Sequence, residues 1–157
     1  MRFHVLLLDF TLSTFLAILL NCNFLFLGQI TANNLVLISE TKTFADAQSY
    51  CRKNYRDLPS VKSITDNQKV QQAAGGNTVW IGLFRESWKW SDQSNSVYRS
   101  WRSGQPDNFK GNESCVALGK NIMDHWDDWN CETSFPFICY ESEFFFYLIR
   151  NIYIYTY

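Results

Sequence analysis

Residues 104–131 read GQPDNFKGNESCVALGKNIMDHWDDWNC, and the rest of the chain is best read outward from them. The stretch frames oxygen-bearing side chains with two cysteines. Gln105 and Asp107 flank Pro106, Glu113 stands two residues before Cys115, and Asp127 and Asp128 follow Trp126 on the way to Cys131. A hard cation such as calcium takes about six to eight oxygen ligands from carboxylates, amides, backbone carbonyls and water. One amide and four carboxylates suit that demand, and Pro106 restricts the backbone between the first two. Apart from Cys115 to Leu118, the stretch carries little helix or strand pattern. It reads as a binding loop whose guest is calcium.

The composition sets bounds around that loop. A chain of 157 residues has room for one ordinary domain. A formal charge of -1 leaves no basic excess for a nucleic-acid or anionic-membrane partner. Aromatic residues make up 17%, including six tryptophans, as expected of a domain that buries large rings. Trp80, Trp90, Trp101 and Trp126 are expected in the core, with Trp88, Trp129 and Phe109 exposed. No serine motif accompanies His125, the one histidine beyond the leader, and carboxylates committed to a cation are poor general bases. The chain is not expected to be an enzyme.

The leader is a different material. Arg2 and His4 precede an apolar run from Val5 to Leu27 that ends near Gly28. Residues 1–28 read as a secretory signal peptide, with an uncleaved signal anchor as the alternative, so the domain is expected to be secreted and extracellular. Membrane contact is expected only if the leader is retained. Cys22 would depart with it, leaving Cys51, Cys115, Cys131 and Cys139, which allow three pairings. Zinc is disfavoured because no paired C-x-x-C or histidine stands at ligand spacing.

Residues 34–39 form a short apolar stretch suited to a strand. Thr43 reads as the N-cap of a helix with Asp46 in its first turn and Phe44, Ala47, Tyr50, Cys51 and Tyr55 along one face. Thr65 with Gln68 reads as the capping box of a second helix that Gly75-Gly76 ends. Further strands are expected at residues 79–84, 115–118 and 135–140, with a brief alternation over 88–90. Helices first, then strands with long loops, predict an α+β domain.

Five segments carry a family resemblance: Tyr50-Cys51-Arg52; Trp80-Ile81-Gly82-Leu83; Gly104-Gln105-Pro106-Asp107-Asn108; Trp126 with Asp128; and Phe135-Pro136-Phe137-Ile138-Cys139-Tyr140. In this order they resemble the C-type lectin-like domain family, over residues 33–140. The resemblance implies a fold of two helices, small antiparallel sheets and a long calcium-binding loop region. It also implies the pairing Cys51–Cys139 with Cys115–Cys131, which would tie an early helix to the last strand and brace the ligand loop. The lack of an extra N-terminal pair marks the short form.

For the site, the resemblance implies calcium held by Gln105, Asp107, Glu113, Asp127 and Asp128. Two vicinal sugar hydroxyls would bind the ion and hydrogen-bond to Gln105, Asp107, Glu113 and Asp127. The Gln-Pro-Asp order is the one associated with galactose-type ligands, and Phe109 stands where galactose binders often place a stacking tryptophan. Three departures accompany the match. Asp127 replaces an asparagine and cannot donate the amide hydrogen bond. Only Lys110-Gly111-Asn112 follows Phe109, without a glycine-rich loop. Asn112-Glu113-Ser114 is a glycosylation sequon, so a glycan on Asn112 would crowd the site. Arg85, Asn108 and Ser114 occupy positions where a second calcium site would need carboxylates.

The expected function is calcium-dependent binding of galactose-type glycans. The alternatives are a calcium-loaded domain that binds a protein surface or ice, and a domain that keeps the fold without the metal. Oligomers would supply the avidity that a single weak sugar site lacks. Residues 141–157 form an apolar tail beyond the expected domain and read as a gene-model artefact.

Overall fold

The computed structural model describes residues 34–85, 87–119 and 125–141. The expected signal peptide, Cys22 and the tail beyond Glu141 lie outside them. In chain order the elements are β1 (Leu35–Lys42), α1 (Phe44–Asn54), α2 (Ile64–Ala74), β2 (Val79–Phe84), β3 (Lys89–Trp90), a 3-10 turn (Phe109–Gly111), β4 (Cys115–Leu118), β5 (Trp126–Trp129) and β6 (Phe135–Tyr140). The two helices and the strands at 79–84, 115–118 and 135–140 lie where the sequence puts them. The first strand runs on to Lys42 rather than stopping at Ser39.

Thr43 caps α1 by accepting from the Asp46 N–H at 3.3 Å and donating to its carboxylate at 2.8 Å. The cap of α2 is Ser63, which accepts from the Asp66 N–H at 3.1 Å, so Thr65 lies inside the helix and the expected Thr65–Gln68 box does not form. Gly75 closes α2 in the left-handed conformation at φ 57°, where a residue without Cβ costs least. A polar network docks α1 on the turn after β3. Arg52 Nε donates to Asp57 at 3.0 Å, Gln48 donates to the Ser91 hydroxyl at 2.8 Å, and that hydroxyl donates to Asp57.

The strands form one six-stranded sheet in the order β1-β6-β2-β4-β5, with β3 also on β2. β1 pairs antiparallel with β6, whereas β2 meets β6 in parallel at Trp80 and Phe137. The expected small antiparallel sheets are therefore replaced by one mixed sheet. The long excursion between β2 and β6 is what permits the parallel contact, since no hairpin fixes their relative direction.

Alternation along the strands buries both faces. Val79, Ile81, Leu83, Val116, Leu118 and Ile138 join one apolar cluster with Val70, Ala73 and Ala74 of α2. Their strand neighbours Trp80, Cys115, Ala117, Phe137 and Cys139 join the other with Phe44, Ala47 and Cys51 of α1. A sheet covered on both sides needs continuous apolar runs, which is how β2 and β6 read. Trp80, Trp90 and Trp126 are buried as expected. Trp101 is only half-buried, and Trp88 and Trp129, expected at the surface, are half-buried as well. The ring of Trp101 packs edge-on between Trp88 and Trp126, and that of Trp129 packs edge-on against Phe135.

β5 is the strand that the sequence hid. It pairs antiparallel with β4, matching Cys115 to Trp129 and Leu118 to Trp126. Two adjacent aspartates interrupt the apolar pattern by which a strand is recognised. The disulfides join Cys51 to Cys139, 88 residues apart, and Cys115 to Cys131, 16 apart. On a chain-entropy account they contribute a little under ~5 and roughly 3 kcal/mol.

Candidate functional site

The long loop is pinned to β5 where it begins. The Trp126 N–H donates to Ser100 O at 2.7 Å, and the Arg102 N–H donates to Trp126 O at 3.0 Å. The Gln105 N–H then closes a turn on Arg102 O at 2.9 Å, through Gly104 at φ +87°. The Gln105–Pro106 peptide that follows is cis.

Backbone donors fold the loop around its own carboxylates. Asp128, on β5, accepts the Asp107 N–H on one oxygen at 3.1 Å and the Asn108 N–H on the other at 2.9 Å. Gln105 Oε1 also accepts the Asp107 N–H, at 3.0 Å. The Phe109 N–H is shared between Asp107 Oδ1 at 3.1 Å and Glu113 Oε2 at 2.9 Å. Asn108, left-handed at φ 49°, turns its side-chain oxygen back to the Glu113 N–H at 3.1 Å. Asn and Asp tolerate that conformation because short polar side chains bond locally.

Three carboxylates converge as a result. One oxygen each from Asp107, Glu113 and Asp128 lies within 4.8 Å of the other two, with Asp128 buried, Glu113 half-buried and Asp107 exposed. Opposite ligands of one calcium ion stand about 5 Å apart, twice its usual oxygen distance, so the group fits such a cation. Partial burial raises the Glu113 carboxyl above its ordinary pKa, and the charges of Asp128 and Asp107 add to the rise against the Phe109 N–H. A divalent cation would relieve that like-charge crowding.

Asp127 stands apart from this group. Its carboxylate accepts from Arg102 Nε at 2.7 Å, with side-chain exposures of 8% for Asp127 and 46% for Arg102. Successive strand residues point to opposite sides, so Asp127 and Asp128 diverge although they are adjacent. The hydrogen bond and charge of Asp127 push the Arg102 pKa up. Sequence reasoning missed Arg102. The available signal was a surplus carboxylate in an acidic loop, which calls for a nearby cation.

The remaining expected residues line the rim. Phe109 is 61% exposed, and Lys110 Nζ lies 5.3 Å from its ring centroid. Asn112 is exposed at the end of the 3-10 turn, whereas the sequon residue Ser114 already belongs to the sheet margin through its N–H on Trp129 O at 3.1 Å. His125 is an exposed loop residue.

The Lectin C-type domain family profile matches residues 40–141. A C-type lectin from Cerberus rynchops is 36% identical over 115 residues, 66% of this chain and 73% of its own. C-type lectin BfL-2 from Bungarus fasciatus is 37% identical over 116 residues, with the same shares of 66% and 73%. Among solved structures, the mouse scavenger receptor C-type lectin carbohydrate-recognition domain aligns with a TM-score of 0.59 at 33% identity, over 69% of this chain and 88% of that one. Human lithostathine aligns at 0.64 and 28% identity, over 69% and 82%. Herring type II antifreeze protein aligns at 0.60 and 25%, over 67% and 87%. On this evidence of sequence, fold and paired cysteines, the chain belongs to the C-type lectin domain family and is a binding protein, not an enzyme.

Proposed function

We propose that the chain is a secreted, calcium-dependent lectin for galactose-type glycans, with residues 1–28 as its signal peptide and 33–140 as the binding domain. The observation that carries the reading is the convergence of Asp107, Glu113 and Asp128 within 4.8 Å beside an exposed aromatic ring. Calcium bound there would offer open coordination positions to two vicinal hydroxyls. The side chains around it divide the remaining tasks. Asp107 and Glu113 accept hydrogen bonds from those hydroxyls, and the Gln105 amide can both donate and accept. Phe109, 61% exposed, offers a face for the apolar side of the sugar ring. The backbone bonds that Asp107, Asn108 and Phe109 give to the carboxylates preorganise the loop, so little ordering cost remains for the ligand.

A second reading, a calcium-loaded domain for a protein surface or ice, draws on Asp127. That residue lacks the amide donor and is already engaged by Arg102 at 2.7 Å. Calorimetric titration of the full chain with calcium, then with galactose and mannose, separates the two. Calcium binding followed by galactose-selective heat is the expected result. Calcium binding with no sugar response moves the function to the second reading, and no calcium binding at millimolar levels removes both.

A further inference from the structure

The aromatic ring at the rim of the carboxylate group has a cation resting on it. Lys110 Nζ lies 5.3 Å from the ring centroid of Phe109, which is 61% exposed. Lys110 is itself exposed and forms no ion pair among the described residues, although Asp107 and Glu113 belong to the same loop. An aromatic face in contact with water holds a cation weakly, so this ammonium is available to a better partner.

The main chain ties this pair to the site. The Phe109 N–H is divided between Asp107 Oδ1 at 3.1 Å and Glu113 Oε2 at 2.9 Å, two of the three carboxylates that converge. Lys110 follows in the left-handed region at φ 56°, where a residue with a Cβ is uncommon. The Gly111 N–H on Asn108 O at 2.8 Å and the Glu113 N–H on Asn108 Oδ1 at 3.1 Å close the turn around it. A ligand that meets a cation at the carboxylates and covers the Phe109 ring therefore comes within reach of Lys110.

We infer that Lys110 is a specificity-determining residue that selects galactose-type glycans carrying an anionic group on C6, a sulfate ester or a carboxylate, over neutral galactose. The inference rests on the lectin reading proposed above and names the ligand class of the same site. Three carboxylates around one divalent cation leave a net charge of about -1, which by itself disfavours an anionic ligand. Lys110 offsets that charge on the side where Phe109 lies. Galactose bound through its C3 and C4 hydroxyls lays C3, C4 and C5 against an aromatic ring and carries C6 past the ring edge. A charge on C6 then needs only a swing of the ammonium on its flexible four-carbon stem. A charged group on O3 would instead block a hydroxyl that the ion uses.

The test is competitive elution of the calcium-loaded full chain from immobilised galactose, with galactose, galactose 6-sulfate and galacturonate as eluents. It is run on the wild type and on Lys110→Gln, Lys110→Arg and Lys110→Glu, with thermal unfolding to check that each is folded. Each affinity is read relative to galactose on the same protein, so a general weakening cancels. The wild type should prefer at least one anionic sugar by about three- to fivefold at low salt, as expected of one exposed ion pair. Most of that preference should vanish at about 1 M salt, where screening acts within ~3 Å. Lys110→Arg should keep the preference, Lys110→Gln should bring it to unity or below, and Lys110→Glu should lower it further.

A wild type that neither anionic sugar elutes better than galactose overturns the inference. So does a preference that survives Lys110→Gln, because another cation would then hold the anion. A preference for galactose 6-sulfate alone, or for galacturonate alone, supports the inference and identifies the group as sulfate or carboxylate. The underlying reading fails separately. If the calcium-loaded wild type is not retained on immobilised galactose, the lectin reading falls and the inference with it. If it is retained and released by galactose without any anionic preference, only the inference falls.

Discussion

The indole Nε1 of Trp126 donates a 2.7 Å hydrogen bond to Oδ1 of Asn67, and both residues are 0% exposed. The bond crosses from β5 to α2 and holds in place the strand that presents Asp127 and Asp128. Asn67→Ala would leave a buried indole N–H without this acceptor, at a cost of about 1–3 kcal/mol. Urea unfolding should show the lower midpoint with an unchanged slope.

Glu113 yields a pH prediction. Partial burial, then Asp128 and Asp107, raise its pKa in the metal-free fold. Calcium must displace any proton held there, so calcium affinity should begin to fall at a higher pH than an ordinary glutamate would dictate. For stability the sign is the opposite. The folded form binds this proton more tightly than the unfolded form, so the contribution is complete below the ordinary glutamate pKa and is lost as pH rises through the folded value. Calcium titrations and metal-free melting curves across the acid range check both slopes. Glu113→Gln should lower calcium affinity by about tenfold, as expected for loss of a charged ligand, and flatten each dependence.

Gly82 sits where β2 passes beneath the segment after α1. A Cβ there would lie 3.1 Å from the carbonyl oxygens of both Leu58 and Pro59 and 3.2 Å from Ser91 Cβ. Hydrogen bonds limit any retreat, because the Gly82 N–H donates to Pro59 O at 3.0 Å and its carbonyl accepts the Ser91 N–H at 2.7 Å. Gly82→Ala should therefore destabilise the domain by about 1–3 kcal/mol through overpacking. Calorimetric melting would register this as a drop of several degrees.

The Cys115–Cys131 disulfide joins cysteines 16 apart in sequence, closes a loop that includes Asp127 and Asp128, and begins two residues beyond Glu113. Replacing both cysteines with alanine should cost roughly 3 kcal/mol of stability, as expected for a short closed loop. Weaker calcium binding should accompany it, because Glu113 and Asp128 approach the site from the two ends of that bridge. Unfolding and calcium titration of the same double variant measure both effects.

Much of this architecture was legible before the tertiary structure. The Thr43 cap is a local pattern, since its partner Asp46 lies within one helical turn. The runs at 79–84 and 135–140 announce strands because a sheet buried on both faces demands continuous apolar residues. Ser63 escaped notice because Thr65, two residues on and already inside α2, pairs with Gln68 in the same capping-box pattern. β5 escaped because its two central residues are aspartates, whose burial depends on Arg102 and on the loop backbone.

The order of motifs, the cysteine spacing and the oxygen-rich loop were enough to determine the family and the two-helix α+β plan, and to name the ligand candidates Gln105, Asp107, Glu113, Asp127 and Asp128. These features are properties of residue type and short separation. The tertiary structure decided the mixed sheet, the Asn67–Trp126 bond and the diversion of Asp127 to Arg102. Those partners lie 59 and 25 residues apart in sequence. Contacts of that range have no local signature, because they form only when packing brings the distant segments together and removes water from between them.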